Sequence, residues 1–250
     1  MAIITLLTDF GTADSYVAEM KGVLLSRAPD VTLVDVSHQI PPGDIRAGQY
    51  VLSRAWRHFP SGTVHLAVVD PGVGTLRRAL AVAAGGAGGG HRFVAPDNGL
   101  LSFLPADARF VSLPIPAGAA PTFHGRDVFA PAAAAFAVGA PLEGLGSPIT
   151  DAIRSPLPAP HHDGTAVIGE VLYVDRFGTL VSNIAAGAVE PGVRIRIAGT
   201  DVGSLRRTFG DAERGTLLAI AGSGGTVEIA VRDGSAARLL GVGVGAEVRA

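Results

Sequence analysis

Two hydrophobic rhythms divide the chain. From residue 3 to about 140, short apolar runs rich in Val, Ile, Leu and Ala alternate with stretches whose apolar positions recur at helical spacing. The strand-like runs lie at 3–7, 31–36, 64–69, 80–84, 92–95 and 110–113, and the helical stretches at 16–28, 45–59 and 130–137. Strands alternating with helices of this length predict βαβ units, and hence an α/β domain with a mainly parallel sheet flanked by helices. Asp14, Asp44 and Asp127 stand just ahead of the three helical stretches, where a short acceptor side chain serves the free backbone N–H groups of a helix start.

The rhythm then changes. Residues 154–164, RSPLPAPHHDG, carry three prolines and no periodicity, the composition of an interdomain linker in which His161 and His162 read as a solvated pair. Beyond it, strand-like runs at 167–174, 193–197, 216–220, 226–231 and 247–249 are separated by Gly-rich turns with little helical periodicity. They predict a small antiparallel β-barrel-like domain. The organisation expected is an N-terminal α/β domain over 1–153, a linker over 154–164 and a C-terminal domain over 165–250. A ligand is commonly held between two domains joined in this way.

Composition narrows the function. The 250 residues are 48% hydrophobic, ample for a sizeable core, and the net charge of −2 provides no field to draw nucleic acid or an anionic membrane. No basic cluster exceeds the pairs Arg77-Arg78 and Arg206-Arg207, so nucleic-acid binding is set aside. The absence of cysteine excludes disulfides, thiolate nucleophiles and Cys-ligated metals, and suits a cytoplasmic protein. The opening MAIITLLTDFG has neither a basic segment nor an apolar run long enough to span a bilayer, and reads as a first core strand.

Chemistry gathers where the apolar runs end. Asp9, Asp70, Arg77, Asp97, His124 and Asp175 all occupy such positions, and open α/β sheets bind ligands beyond the carboxyl ends of their strands. The glycine run 85–90 lacks a following Gly-Lys-Ser/Thr and leads into a strand, so it reads as a hairpin loop rather than a phosphate cradle. No G-x-G-x-x-G follows the first strand, which argues against NAD.

Asp9, in Asp9-Phe10-Gly11, suits either a ribose diol or a helix-starting turn. Asp97-Asn98-Gly99 is first of all a turn signal. The stretch from Asp70 to Arg77, DPGVGTLR, is a glycine-rich turn that brings a carboxylate and a guanidinium to one small polar pocket or leaves them as a surface pair. With His124, in FHGRD, the three would orient one water: Arg77 stabilising hydroxide character, Asp70 and His124 accepting or passing the proton. Asp9, Asp70, Asp97 and His124 also offer metal ligands, but no HxxxH, HxH or DxD pair supports them and Arg77 would repel a cation.

Five segments together carry a resemblance: LTDFG from Leu7, VDPGVG from Val69, APDNGLL from Ala95, FHGRD from Phe123, and DRFG from Asp175 with Ser182-Asn183-Ile184 after it. Their order and content resemble the S-adenosyl-L-methionine (SAM) hydroxide adenosyltransferase family, which is related to SAM-dependent fluorinases and chlorinases. The resemblance runs from Thr5 to about Asp233. It implies a homotrimer that binds SAM between the N-terminal domain of one subunit and the C-terminal domain of the next, and attack of water or hydroxide on C5′ to give adenosine and L-methionine.

Carried over by position, the resemblance implies that Asp70, Arg77 and His124 handle the water and that Asp9 binds the ribose. Asp14, Asp175 and Ser223 hold the methionine amino and carboxylate groups, and Phe177 and Asn183 line the adenine end. Asp97, Asn98 and Phe123 complete the expected substrate-binding set. No cofactor beyond the substrate and no metal is expected, since a sulfonium departs as a neutral thioether. Two positions depart from the family pattern: Thr179 and Arg232 stand where asparagine is frequent. The alternatives are a chlorinase on the same scaffold, which the carboxylate of Asp70 opposes by repelling halide, and a non-catalytic SAM or adenosine sensor, which would need neither Arg77 nor His124.

Overall fold

The structure, a computed structural model, describes residues 2–85 and 90–250, which form two compact units divided between Pro156 and Leu157. In the N-terminal unit β1 (Ile3–Thr8) lies between β2 (Thr32–Ser37) and β3 (Val64–Val68), and β3 pairs with β5 (His91–Pro96), all parallel. Such strands are covered on both faces, and β3 is buried at every position. Three further strands, β4 (Ala79–Ala84), β6 (Arg109–Leu113) and β7 (Ser147–Ile149), continue the sheet antiparallel in the order β2-β1-β3-β5-β4-β6-β7. Among the described residues no helix intervenes between β3 and β6, so the crossover that joins the parallel neighbours β3 and β5 is made by the strand β4. The glycine run 85–90 links the β4–β5 pair, but residues 86–89 of it lie outside the described residues.

The helices α1 (Tyr16–Arg27), α2 (Ile45–Ala55) and α3 (Ala130–Ala137) bring Met20, Leu24, Ala133 and Phe136 onto the apolar sheet core with Leu6, Leu66 and Val94, or, as α2, cap its other face with Leu52. Asp44 caps α2 as expected, accepting from Ala47 N at 2.9 Å. Asp14 does not cap α1. The N-cap is Ser15, whose hydroxyl donates to Glu19 Oε1 at 2.7 Å. Asp127 does not cap α3 either, because α3 grows directly from a π-turn, Gly125–Phe129, and has no free N–H end there. Asp127 instead accepts from Ala120 N at 2.8 Å and pairs with Arg126.

The C-terminal unit is a closed barrel. Its strands are β8 (His161–Asp163), β9 (Ala166–Val174), β10 (Leu180–Ala185), β11 (Arg194–Ile197), β12 (Thr200–Arg206), β13 (Leu217–Ala221), β14 (Thr226–Val231) and β15 (Glu247–Arg249). Seven of them run in the order β10-β14-β13-β12-β11-β15-β9, and the β9–β10 pairing closes the ring, leaving β8 outside on β9. Val171, Leu180, Ile195, Ile229 and Val248 fill the interior. Polar residues hide three strands from a hydrophobic reading. β8 is HHD within the proline-rich stretch, β12 is TDVGSLR, and β10 carries Ser182, whose buried hydroxyl is satisfied by donation to Val227 O at 2.7 Å. Among the described residues no helix is long and apolar enough to cross a membrane.

One buried polar chain lies in the sheet away from its carboxyl edge. The ring of His65 contacts Thr5 Oγ1 at 2.8 Å and His91 Nδ1 at 3.0 Å and stacks on Phe93. Burial, then the neighbouring His91, pushes its pKa down from 6.5 to about 3. The unfolded chain binds a proton here that the folded chain refuses, so this contribution is whole above pH 6.5 and is lost as pH falls from 6.5 towards about 3. Replacement of His65 by Gln is therefore expected to lower the melting temperature at pH 7 while flattening its fall over that acid window, measured by thermal unfolding across a pH series.

Candidate active site

The sheet order places β1, β3 and β5 side by side, so residues at their carboxyl ends meet without any long-range accident. Asp9 follows β1, Asp70 follows β3, and Asp97 follows β5. Asn98 fastens two of these ends together, donating from Nδ2 to Val69 O at 2.9 Å while its Oδ1 accepts from Leu100 N at 3.2 Å. Asp9 Oδ2 accepts from Gly43 N at 2.7 Å, which ties the end of β1 to the loop before α2.

The turn from Asp70 to Arg77 folds back on itself. Thr75 supports it through backbone and hydroxyl bonds to Gly72 O at 3.2 and 2.7 Å. Gly74 adopts φ +75°, and a Cβ there would overlap the Pro121 carbonyl oxygen, so only glycine lets this turn seat against the loop that carries His124. The fold-back brings Arg77 Nε within 2.9 and 3.0 Å of the two Asp70 oxygens, with Nη2 also on Asp70 Oδ2. Nη2 reaches His124 Nδ1 at 2.9 Å. The Asp70 and Arg77 side chains are 4% and 8% exposed and His124 is equally buried, so the group forms one sequestered chain.

That geometry fixes a tautomer. A guanidinium has no acceptor, so His124 Nδ1 is the acceptor in its contact with Nη2, and a neutral ring then carries its proton on Nε2. Burial first, and the Arg77 charge second, hold the His124 pKa below the usual histidine value, against opposing pulls from Asp70 and Asp127. Arg77 Nη1 is buried with no hydrogen-bond partner among the described residues. The chain therefore joins a carboxylate, a fixed cation and a neutral N–H donor in one place.

Beside it stands an aromatic wall that the sequence reading missed apart from Phe123. Phe10, Tyr16 and Phe123 meet edge to face at 5.3–6.0 Å, Arg126 lies 5.0 Å over Phe123, and Glu19 holds Arg126 at 2.8 Å. A cavity of about 400 Å³ opens against these residues. Only Gly125 suits the next position comfortably, because a Cβ there would lie 3.1 Å from both Met20 Sδ and the Phe123 ring.

The remaining sequence-predicted residues fall in different roles. Asp97 is buried with both oxygens engaged, Oδ2 by Arg78 Nε and Oδ1 by Ile153 N at 2.7 and 2.8 Å, which makes it a fastener of the unit's last segment. Asp14 is exposed just before α1. In the barrel, Asp175 Oδ1 accepts from Phe177 N and Thr179 N at 2.9 and 2.8 Å, shaping a turn that leaves the Phe177 ring 77% exposed. Asp175, Phe177, Thr179 and Arg232 line a cavity of about 780 Å³. Asn183 lies elsewhere, bridging Glu170 N and Pro158 O at 2.8 and 2.9 Å, and Ser223 sits in the β13–β14 turn. Among the described residues no group of three or more His, Cys, Asp or Glu side chains is arranged to hold a metal.

Because Gly74 meets two constraints at once, Gly74→Ala is expected to cost about 1–3 kcal/mol of stability through φ alone, and to lose the Arg77–His124 contact as well. Urea unfolding together with the histidine ring NMR signals checks both effects.

Comparison with known proteins identifies the family. The SAM hydroxide adenosyltransferase N-terminal domain matches residues 4–146, and the corresponding C-terminal domain matches residues 169–249. A Thermus thermophilus protein named (R)-S-adenosyl-L-methionine hydrolase is 43% identical, covering 97% of each chain. A protein of the same name from Salinispora tropica is 41% identical over 98% of this chain and 96% of its own, and an Actinoplanes fluorinase is 33% identical over 73% and 71%. The crystal structure of an uncharacterized conserved protein from Thermotoga maritima superposes with a TM-score of 0.89 at 34% identity, covering 98% of each chain. Both halves of the chain thus match in order and nearly in full, and the protein belongs to the SAM hydroxide adenosyltransferase family.

Proposed function

We propose that this protein hydrolyses S-adenosyl-L-methionine to adenosine and L-methionine. The observation that carries the reading is the buried Asp70–Arg77–His124 chain at the carboxyl edge of the sheet. Water oxygen bonds to C5′ as the C5′–S bond breaks, the electron pair stays on sulfur, and the proton passes to Asp70 and on to solvent. Arg77 and the Nε2–H of His124 hold the oxygen and stabilise the hydroxide character it gains as the proton leaves for Asp70. A sulfonium supplies its own leaving group, so the enzyme's tasks are to place one water in line and to exclude others, which needs no cofactor. A carboxylate at this spot accepts a hydrogen bond from water but repels halide, which favours hydrolysis over halogenation.

Asp9 binds the ribose diol in this reading, and Asp97 and Asn98 contribute by holding the strand ends in place. Phe123 and the aromatics around it wall the site. The methionine end is held by Asp14, Asp175 and Ser223, and the adenine end by Phe177, with Thr179 and Arg232 lining the same cavity; Asn183, expected beside Phe177, is spent on the Glu170 and Pro158 backbone instead. The water-handling residues lie on one unit and several of the other substrate contacts on the second, which supports a homotrimer whose sites combine the N-terminal unit of one subunit with the C-terminal unit of the next. A cytoplasmic setting is supported by a cysteine-free sequence that requires no oxidising compartment.

The deciding experiment is chromatography of nucleosides after incubation with SAM in chloride buffer: adenosine without 5′-chloro-5′-deoxyadenosine is expected. The chlorinated nucleoside would replace this reading with a halogenase, and intact SAM bound to the protein would replace it with a sensor. Arg77→Ala is expected to retain SAM binding while turnover drops by about 10²-fold or more, whereas Asp9→Ala is expected to weaken nucleoside affinity first; calorimetry beside steady-state kinetics separates the two. Protonation of His124 would give Nδ1 a hydrogen facing Arg77, so kcat is expected to fall on acidification with an apparent pKa below 6.5. A pH–rate profile measures that limb.

A further inference from the structure

His124 is followed at once by a π-turn, Gly125–Phe129, in which Ala130 N donates to Gly125 O, five residues back. The sequence explains why the helix widens here. Pro131 stands in the first turn of α3, has no N–H, and its ring would crowd the carbonyl of Asp127 in an α-helical register. The geometric effect reaches the site. In an α-helix of 3.6 residues per turn, positions five apart point about 140° away from each other, whereas an i→i+5 turn brings them back towards one face.

His124 and Phe129 are five apart, and both touch Arg77. The guanidinium carbon lies 5.2 Å over the centre of the fully buried Phe129 ring. One edge of the guanidinium is taken by Asp70, Nη2 also meets His124 Nδ1, and one flat face rests on Phe129. Two edge contacts fix the group in its own plane but leave it free to tilt. A ring against the face removes that freedom, and a ring face also attracts a cation.

We propose that Phe129 is a positioning residue for the hydrolytic reaction, and that the π-turn exists to set its ring against Arg77 while His124 holds the guanidinium edge. The inference rests on the function proposed above. It assigns a catalytic consequence to a side chain that otherwise reads as ordinary core, since Phe129 belongs to the main apolar cluster.

Phe136 provides the matched control. It is also a fully buried phenylalanine of that cluster and also lies under an arginine, Arg92 at 5.3 Å, but it is on α3, outside the proposed site. Phe129→Leu and Phe136→Leu are compared well below their melting temperatures, with Phe129→Met as a second variant should leucine fail to fold. The expected result for Phe129→Leu is a fall in kcat of about tenfold, with KM for SAM within about twofold, because orientation is lost rather than binding. Phe136→Leu should lose comparable thermal stability yet keep kcat within about twofold of wild type.

Nitrogen-15 NMR of the histidine rings supplies a readout that does not depend on turnover. In wild type the His124 Nδ1 resonance should report an accepted hydrogen bond, and in Phe129→Leu it should move towards an unbonded nitrogen. Equal kcat losses in the two variants, or an unmoved His124 resonance with unchanged kcat in Phe129→Leu, would overturn the proposal. If wild-type protein makes no adenosine from SAM, the hydrolase reading fails by itself, and a His124 resonance unmoved in Phe129→Leu then rejects the positioning role independently.

Discussion

Burying Asp70 and Arg77 together takes two full charges out of water, and that cost is offset only where their mutual geometry is held. Three devices hold it. The glycine-rich turn folds the chain back within seven residues, Gly74 seats the turn against Pro121, and His124 shares with Asp70 the Nη2 donor of the guanidinium. Removing one charge would strand the other without a partner. The pair therefore constrains the loops around it, and those loops carry most of the chemistry of the N-terminal unit.

The sheet makes this arrangement economical. Parallel strands present their carboxyl ends at one edge, so Asp9, Asp70 and Asp97 arrive together from three distant stretches of chain. Their subsequent fates differ through what the backbone offers them. Asp97 finds Arg78 and the Ile153 amide and becomes a buried fastener, while Asp9 uses one oxygen on Gly43. Asp70 finds a cation that also touches a histidine, and that shared contact turns an ion pair into a buried chain of three groups.

How much of this was legible beforehand depended on how local the signal is. Motif residues at strand ends were readable because apolar runs and Gly-rich turns are written contiguously. The α2 cap at Asp44 was readable for the same reason, yet Asp14 and Asp127 obey identical statistics and do not cap. Ser15 occupies the first position, and the π-turn removes the helix start at the second. In the barrel, β10 was obscured because the buried Ser182 hydroxyl is satisfied within the fold, β12 because its polar residues occupy exposed and half-buried positions, and β8 because it pairs only at the outer side of β9. Phe129 and the Phe10–Tyr16–Phe123 cluster gave no signal, since a buried aromatic reads the same whether its neighbour is leucine or guanidinium.

The sequence by itself determined the alternating α/β half, the all-β half, the cysteine-free chemistry and the identity of the residues at the strand ends, because each is set by local periodicity or by residue type. Only the tertiary structure decided which of those residues meet. The closure of the barrel by β9 and β10, the occupation of Asp97 by Arg78, and the grip of Phe129 and His124 on Arg77 all join residues distant along the chain. Contacts of that kind depend on backbone direction, burial and the proton positions that follow from them, and no window of sequence contains all three.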